Sequence, residues 1–158
     1  MKKNLEIKLI LILSLLLTSC GFKKINKKDT QVVYLQSIHV TGEQRIAYTL
    51  KNNISLISND SSKNKYTARI ETKIKKVNKI KDETGKVIRY DLSVTANLEL
   101  KNLNNKREIK KIFVRSGDYD VARVYSDTIN NERNLIRNIT QQISDDIINF
   151  ITLLFRNK

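Results

Sequence analysis

Proline is absent, and cysteine and histidine occur once each, as Cys20 and His39. A single cysteine excludes an intramolecular disulfide. No second cysteine or histidine exists to build a Cys/His metal site, and no Ser-His-Asp partner set is suggested around His39, which ends a strand-like run. The four glycines, Gly21, Gly42, Gly85 and Gly117, are too scattered for a phosphate-cradling loop. Asp145-Asp146 is an acidic pair on a helical stretch, but adjacent helix positions do not face each other, which disfavours paired-carboxylate chemistry. These absences argue against an enzyme and against any metal or organic cofactor. Aromatic residues make up only 6% of the chain, so there is no surplus of large rings to line an acyl-chain cavity. No low-complexity tract, fixed-period repeat or Gly/Pro/Ser linker divides the sequence.

The first twenty residues carry a different signal. Met1, Lys2 and Lys3 give a positive start, followed by an apolar run from Leu9 to Leu17 and then Thr18, Ser19 and Cys20. A charged start, a short apolar run and small residues at its end describe an export signal. The run is too short to span a bilayer, which needs about 20 apolar residues. Leu17-Thr18-Ser19-Cys20 has the form of a lipobox, in which the cysteine sulfur takes a diacylglycerol before cleavage. The expected organisation is a cleaved signal peptide at 1–19, a lipidated Cys20 with a basic tether to residue 31, and one domain over 32–158.

Charge follows from this compartment. Lys2, Lys3 and Lys8 against Glu6 take two of the chain's +14 charges, leaving +12 on residues 20–158. Such an excess attracts polyanions. Export removes nucleic acid as a partner and leaves anionic lipid, the phosphates of lipopolysaccharide, or an acidic protein surface. Part of the basicity is also what AT-rich coding DNA would produce on a solvated face.

The periodicities predict the order strand, helix, three strands, helix. Val32 to Val40 is rich in β-branched and aromatic residues. From Glu43, Ile46, Ala47, Leu50, Ile54 and Ile57 recur at helical spacing. Tyr66, Ala68, Ile70, Thr72 and Ile74 alternate with polar residues, as do Ile88, Tyr90, Leu92, Val94, Ala96, Leu98 and Leu100, so each strand buries one face. Turns fall at 82–86, with Gly85 free to take positive φ, and at 102–105; a third strand runs from about Arg107 to Ser116. Ser126 or Asp127 can cap a final helix whose stripe is Ile129, Ile136, Ile139, Ile143, Ile147, Ile151 and Leu154. The predicted architecture is an α+β two-layer sandwich, with two helices on one face of a four-stranded, mostly antiparallel sheet.

That order, together with several short stretches, resembles the LptE family of lipopolysaccharide-assembly lipoproteins. The likeness is carried by the lipobox cysteine with Gly21-Phe22, by Ile38-His39-Val40-Thr41-Gly42 before a helix, and by Lys86 to Tyr90 after the hairpin turn. Ser116 to Ser126, running into Asn131-Glu132-Arg133-Asn134-Leu135-Ile136, is similar to the family's last strand and helix. The resemblance implies an outer-membrane lipoprotein on the periplasmic face. It would plug and help assemble the β-barrel LptD and bind lipopolysaccharide. It also implies a basic contact at the hairpin tip, for which Lys81 is the nearest match with Lys79 and Lys86 adjacent. A second basic position falls at Ile129, a departure, and Arg123 is the cation that could substitute for it in space. The competing readings are a stand-alone lipid carrier, another accessory lipoprotein such as a secretin pilot or barrel-insertion subunit, and a hairpin whose lysines merely guard against edge aggregation.

Overall fold

A computed structural model describes residues 33–156, so the signal segment, Cys20 and the tether lie outside the described residues. Strand β1 (Tyr34–Thr41), helix α1 (Gln44–Ser55), strands β2 (Lys65–Lys81), β3 (Val87–Asn102) and β4 (Glu108–Asp120), and helix α2 (Tyr125–Arg156) follow in that order. The strands lie side by side as β1-β2-β3-β4. β1 and β2 are parallel, and the other two pairings are antiparallel. The parallel pair exists because α1 carries the chain back between them; parallel neighbours need such a crossover. The α+β sandwich expected from periodicity is the fold.

Both helices cover one face. Glu43 caps α1 by accepting a hydrogen bond from the Ile46 N–H at 3.0 Å, and Ile46, Leu50 and Ile54 point into the core. Ile139, Ile143, Ile147 and Ile151 of α2 are buried one turn apart, with Phe155 closing the row against Tyr66. They meet Ala68 and Ile70 of β2 and the alternate residues Leu92, Val94, Ala96, Leu98 and Leu100 of β3. Burying each such side chain contributes about 1.5–3 kcal/mol. The two helices touch through Asn53, whose amide donates to Gln141 at 3.1 Å.

Three boundaries differ from expectation. β2 runs past Ile74 to Lys81, because its register with β3 continues although neither face there is buried. Polar and apolar residues do not alternate over 75–81, so the pattern that marks a half-buried strand is missing while backbone pairing persists. β4 extends beyond Ser116 to Asp120, where Tyr119 is buried and pairs with Tyr90. Its Gly117, Asp118 and Asp120 are poor strand formers that pairing overrides. Ser126 and Asp127 sit inside the first turn of α2, whose first N–H groups reach the Val124 carbonyl.

Length gives the domain polarity. β2 has 17 residues and spans roughly 55 Å at about 3.3 Å per residue; α2, with 32 residues, spans roughly 48 Å. The turn at 82–86 is at one end. Val33, the loops at 56–64 and 103–107, and the end of α2 are at the other.

Candidate functional site

Where the hairpin tip, the β4–α2 connection and the first turns of α2 converge, they enclose an open groove of about 450 Å³. The connection is held in place by its own polar groups. The Val121 N–H donates to the Ile88 carbonyl, the Ala122 N–H to Thr128 Oγ1 at 2.9 Å, and Asn131 to the Asp120 carbonyl at 3.1 Å. The tip itself is a turn organised by Asp82, whose Oδ1 accepts from the N–H groups of Thr84 and Lys86. Gly85 takes φ +83°, as expected of it.

Val87, Tyr90, Val121, Tyr125 and Ile129 make the apolar walls, and Lys76, Lys86 and Arg123 supply cations. A neighbouring hollow shares Tyr125 and Ile129 and adds Arg133. Tyr125 is 78% exposed and Val124 54%, so this end of the molecule combines apolar surface with positive charge. Such a combination suits an anionic amphiphile: guanidinium and ammonium groups give charge-assisted hydrogen bonds to phosphate oxygens, and the walls take an adjoining apolar part.

Lys76 is the residue that pattern reading missed. It continues the inward-facing series of Tyr66, Ala68, Ile70, Thr72 and Ile74, and that parity was the available signal. Its ammonium lies 2.6 Å from Glu132 Oε2, 4.3 Å from the centre of the Tyr90 ring and 5.3 Å from that of Tyr119. The two rings stack at 5.6 Å, and the Tyr119 hydroxyl donates to the same Glu132 oxygen. Burial works against the charged forms of both Lys76 and Glu132. The hydrogen bonds and opposite charge outweigh it, holding the ammonium above its ordinary range and the carboxyl below its own. Burial and the adjacent Glu132 push the Tyr119 phenol up. In the free protein, the innermost cation of the groove is therefore already neutralised.

The residues singled out by sequence divide between the two sheet faces. Lys86 and Arg123 line the groove together with Ile129. Lys81 is exposed at the end of β2, opposite Val87. Lys79 is on the other sheet face, 3.1 Å from Asp118, which also meets Arg89 at 3.4 Å. Those cations hold the Asp118 carboxyl below its usual range, Lys79 contributing most. Among the described residues, Lys81, Lys86 and Arg123 form no close ion pair, although the Asp82 carboxyl, held below its usual range chiefly by Thr84, also feels the Lys86 charge. His39 is exposed on the polar face beside Arg69.

The domain is a mixed sheet backed by two helices, with a cationic, partly apolar groove at its far end. Residues 30–151 match the LptE family, described as lipopolysaccharide-assembly, and the chain belongs to that family. No curated protein matches the sequence closely enough to count as a relative. Among solved structures, rare lipoprotein B from Shewanella oneidensis is similar in fold. Its TM-score is 0.60 at 14% identity, over 77% of this chain and 97% of that one. Lipoprotein B from Nitrosomonas europaea superposes with a TM-score of 0.52 at 17% identity, over 85% of this chain and 92% of that one. No helix among the described residues is long and apolar enough to cross a membrane.

Proposed function

We infer that this chain is a non-enzymatic lipoprotein of the outer membrane, held at the periplasmic face by lipid on Cys20. It assists assembly of an LptD-like β-barrel, plugs its lumen, and binds lipopolysaccharide on the way to the cell surface. The observation that carries this reading is the family match over most of the domain. The groove supports it chemically. Lys86 and Arg123 line the groove where they can meet lipid phosphates, while Val87, Tyr125 and Ile129 offer apolar contact. Lys79 belongs to the same tip but must leave Asp118 to contribute. The length of β2 also supports it, placing the groove roughly 35–50 Å from the end of the domain where Val33 stands. A lipid-anchored domain would thus project its tip away from the anchor.

Affinity purification of the lipidated full chain from detergent-solubilised outer membrane tests the barrel partnership: a large β-barrel protein co-purifies. Recovery of well-expressed protein with no barrel refutes it. Depletion of the protein should also lower lipopolysaccharide at the cell surface. Stoichiometric acyl lipid extracted from protein purified without a barrel would favour the stand-alone carrier instead.

A further inference from the structure

The sheet has two edges, and they are built differently. β1 is 8 residues long and its register with β2 is interrupted between Leu35 and Ser37. β4 is 13 residues long, pairs with β3 without interruption and contains no proline. Among the described residues no strand lies on its outer side. An edge strand presents a row of unpaired N–H and C=O groups, and proteins usually shorten, bulge or cover it. Here apolar side chains flank the open row on both faces. Ile112 and Val114 are 64% and 58% exposed on the polar face of the sheet. On the helix side, Phe113 packs edge-on to Phe150 at 5.9 Å. Leu153, one helical turn beyond Phe150, is 65% exposed.

Charge along β4 is uneven: Glu108, Lys110 and Lys111 make its first half net basic, and Arg115, Asp118 and Asp120 make its second half net acidic. An antiparallel copy of the same strand brings basic half against acidic half. We propose that β4 pairs antiparallel with β4 of a second copy about a two-fold axis at Val114, joining the two four-stranded sheets into one.

The side chains select this register. Val114 meets its own counterpart, Lys110 faces Asp118 of the second copy, Ile109 faces Tyr119, and Phe113 lies beside Arg115, whose guanidinium stays paired with Asp146 at 2.7 Å. Each of the last three pairs occurs twice by symmetry. Sliding by two residues one way sets Glu108 against Asp118 and loses both Lys110 pairs. Sliding the other way pairs Lys110 with Asp120 instead but gives up the Val114 self-contact and the Ile109–Tyr119 contacts and sets Arg115, already held by Asp146, against itself. Only Glu108 opposite Asp120 is unfavourable in the chosen register. Within the chain, Lys110 holds Glu108 and Glu99 at 3.4 and 3.6 Å, and Asp118 holds Lys79 and Arg89. These contacts are exposed, so the incoming charges extend them into a network across the seam. The proposal concerns the protein free of any barrel and stands apart from its proposed function.

The test uses full-length protein in detergent. Val114→Cys should cross-link to a dimer on mild oxidation, while Thr95→Cys, one strand inward, should stay at the background of the parent chain with Cys20 alone. Lys110→Asp and Asp118→Lys should each weaken dimerisation roughly tenfold, the effect of reversing two cross-strand charge pairs. Mixing the two variants should restore it, because both reversed pairs are then complementary. A general folding defect would not be rescued by mixing. Cross-linking of Val114→Cys no greater than that of Thr95→Cys, or no recovery in the mixture, overturns the proposal.

Discussion

Gly42 joins β1 to α1 at φ +113°, a conformation that side-chain-bearing residues rarely adopt. A Cβ there would stand 2.3 Å from both the carbonyl oxygen and Oγ1 of Thr72. Gly42→Ala therefore carries two costs. Backbone strain at such an angle is about 1–3 kcal/mol. Relieving the contact requires the corner to move off β2, which breaks the hydrogen bond from Thr72 Oγ1 to the Thr41 carbonyl at 2.9 Å, about 1 kcal/mol more. The sum is about 3 kcal/mol. Gly85 provides the internal reference: its φ is also positive, at +83°, but nothing lies within 4 Å of its missing Cβ. Gly85→Ala should lose only the conformational part, about 1 kcal/mol. Urea unfolding of both variants beside wild type, followed by circular dichroism, measures the difference. The corresponding fall in Tm is roughly 10 °C for Gly42→Ala and 4 °C for Gly85→Ala. If Gly42→Ala is no less stable than Gly85→Ala, close packing of the corner on Thr72 does not hold the β1–α1 unit in place.

Further expectations follow from the groove and the core. Glu132→Gln removes the charge partner of Lys76 and should destabilise by about 1 kcal/mol at neutral pH. The Glu132 carboxyl is held below its ordinary range and the Lys76 ammonium above its own, so this contribution is complete between about pH 6 and 9. It disappears as acid protonates Glu132 below about pH 4.5. Tm against pH for the two proteins should therefore converge in acid, and a gap that persists there would refute the assignment. The Ser144 hydroxyl is fully buried in α2 with no hydrogen-bond partner; Ser144→Ala should leave stability unchanged or raise it by up to about 1 kcal/mol, and a clear loss in thermal melts would contradict this. Lys86→Ala combined with Arg123→Ala should weaken lipopolysaccharide binding roughly tenfold at low salt, with a smaller effect at high salt. Unchanged binding by fluorescence titration would remove the groove as the headgroup site.

Much of this molecule is local information written into the chain. Alternation designated the buried faces from Tyr66 to Thr72 and from Tyr90 to Leu100, because successive strand side chains must point oppositely; Ile74 and Ile88 continue the same series but are 36% and 41% exposed. Spacing at three and four identified Ile46, Leu50 and Ile54, and Ile139 to Ile151, as the helix faces that meet them. Glycine at 85 marked a turn by its freedom of φ. The expectation of export and lipidation at Cys20 rests on the sequence alone, since such signals are read on an extended segment rather than on a fold. What the tertiary structure decided depends on partners distant along the chain. The parallel seating of β1 on β2 and the full length of the hairpin come from backbone pairing, which needs no alternation and leaves none. The fate of each lysine came from tertiary contacts as well. Lys79 and Lys86 look alike in the sequence, yet Asp118 pairs with the first on the polar face, while the second lines the groove and acts only at longer range on Asp82 of the turn. Lys76, on the inward parity of β2, meets Glu132 and two tyrosines only because β4 and α2 converge there. A charge becomes available or spent through neighbours that folding supplies, so the candidate site could be located by sequence at the hairpin tip but composed only in three dimensions.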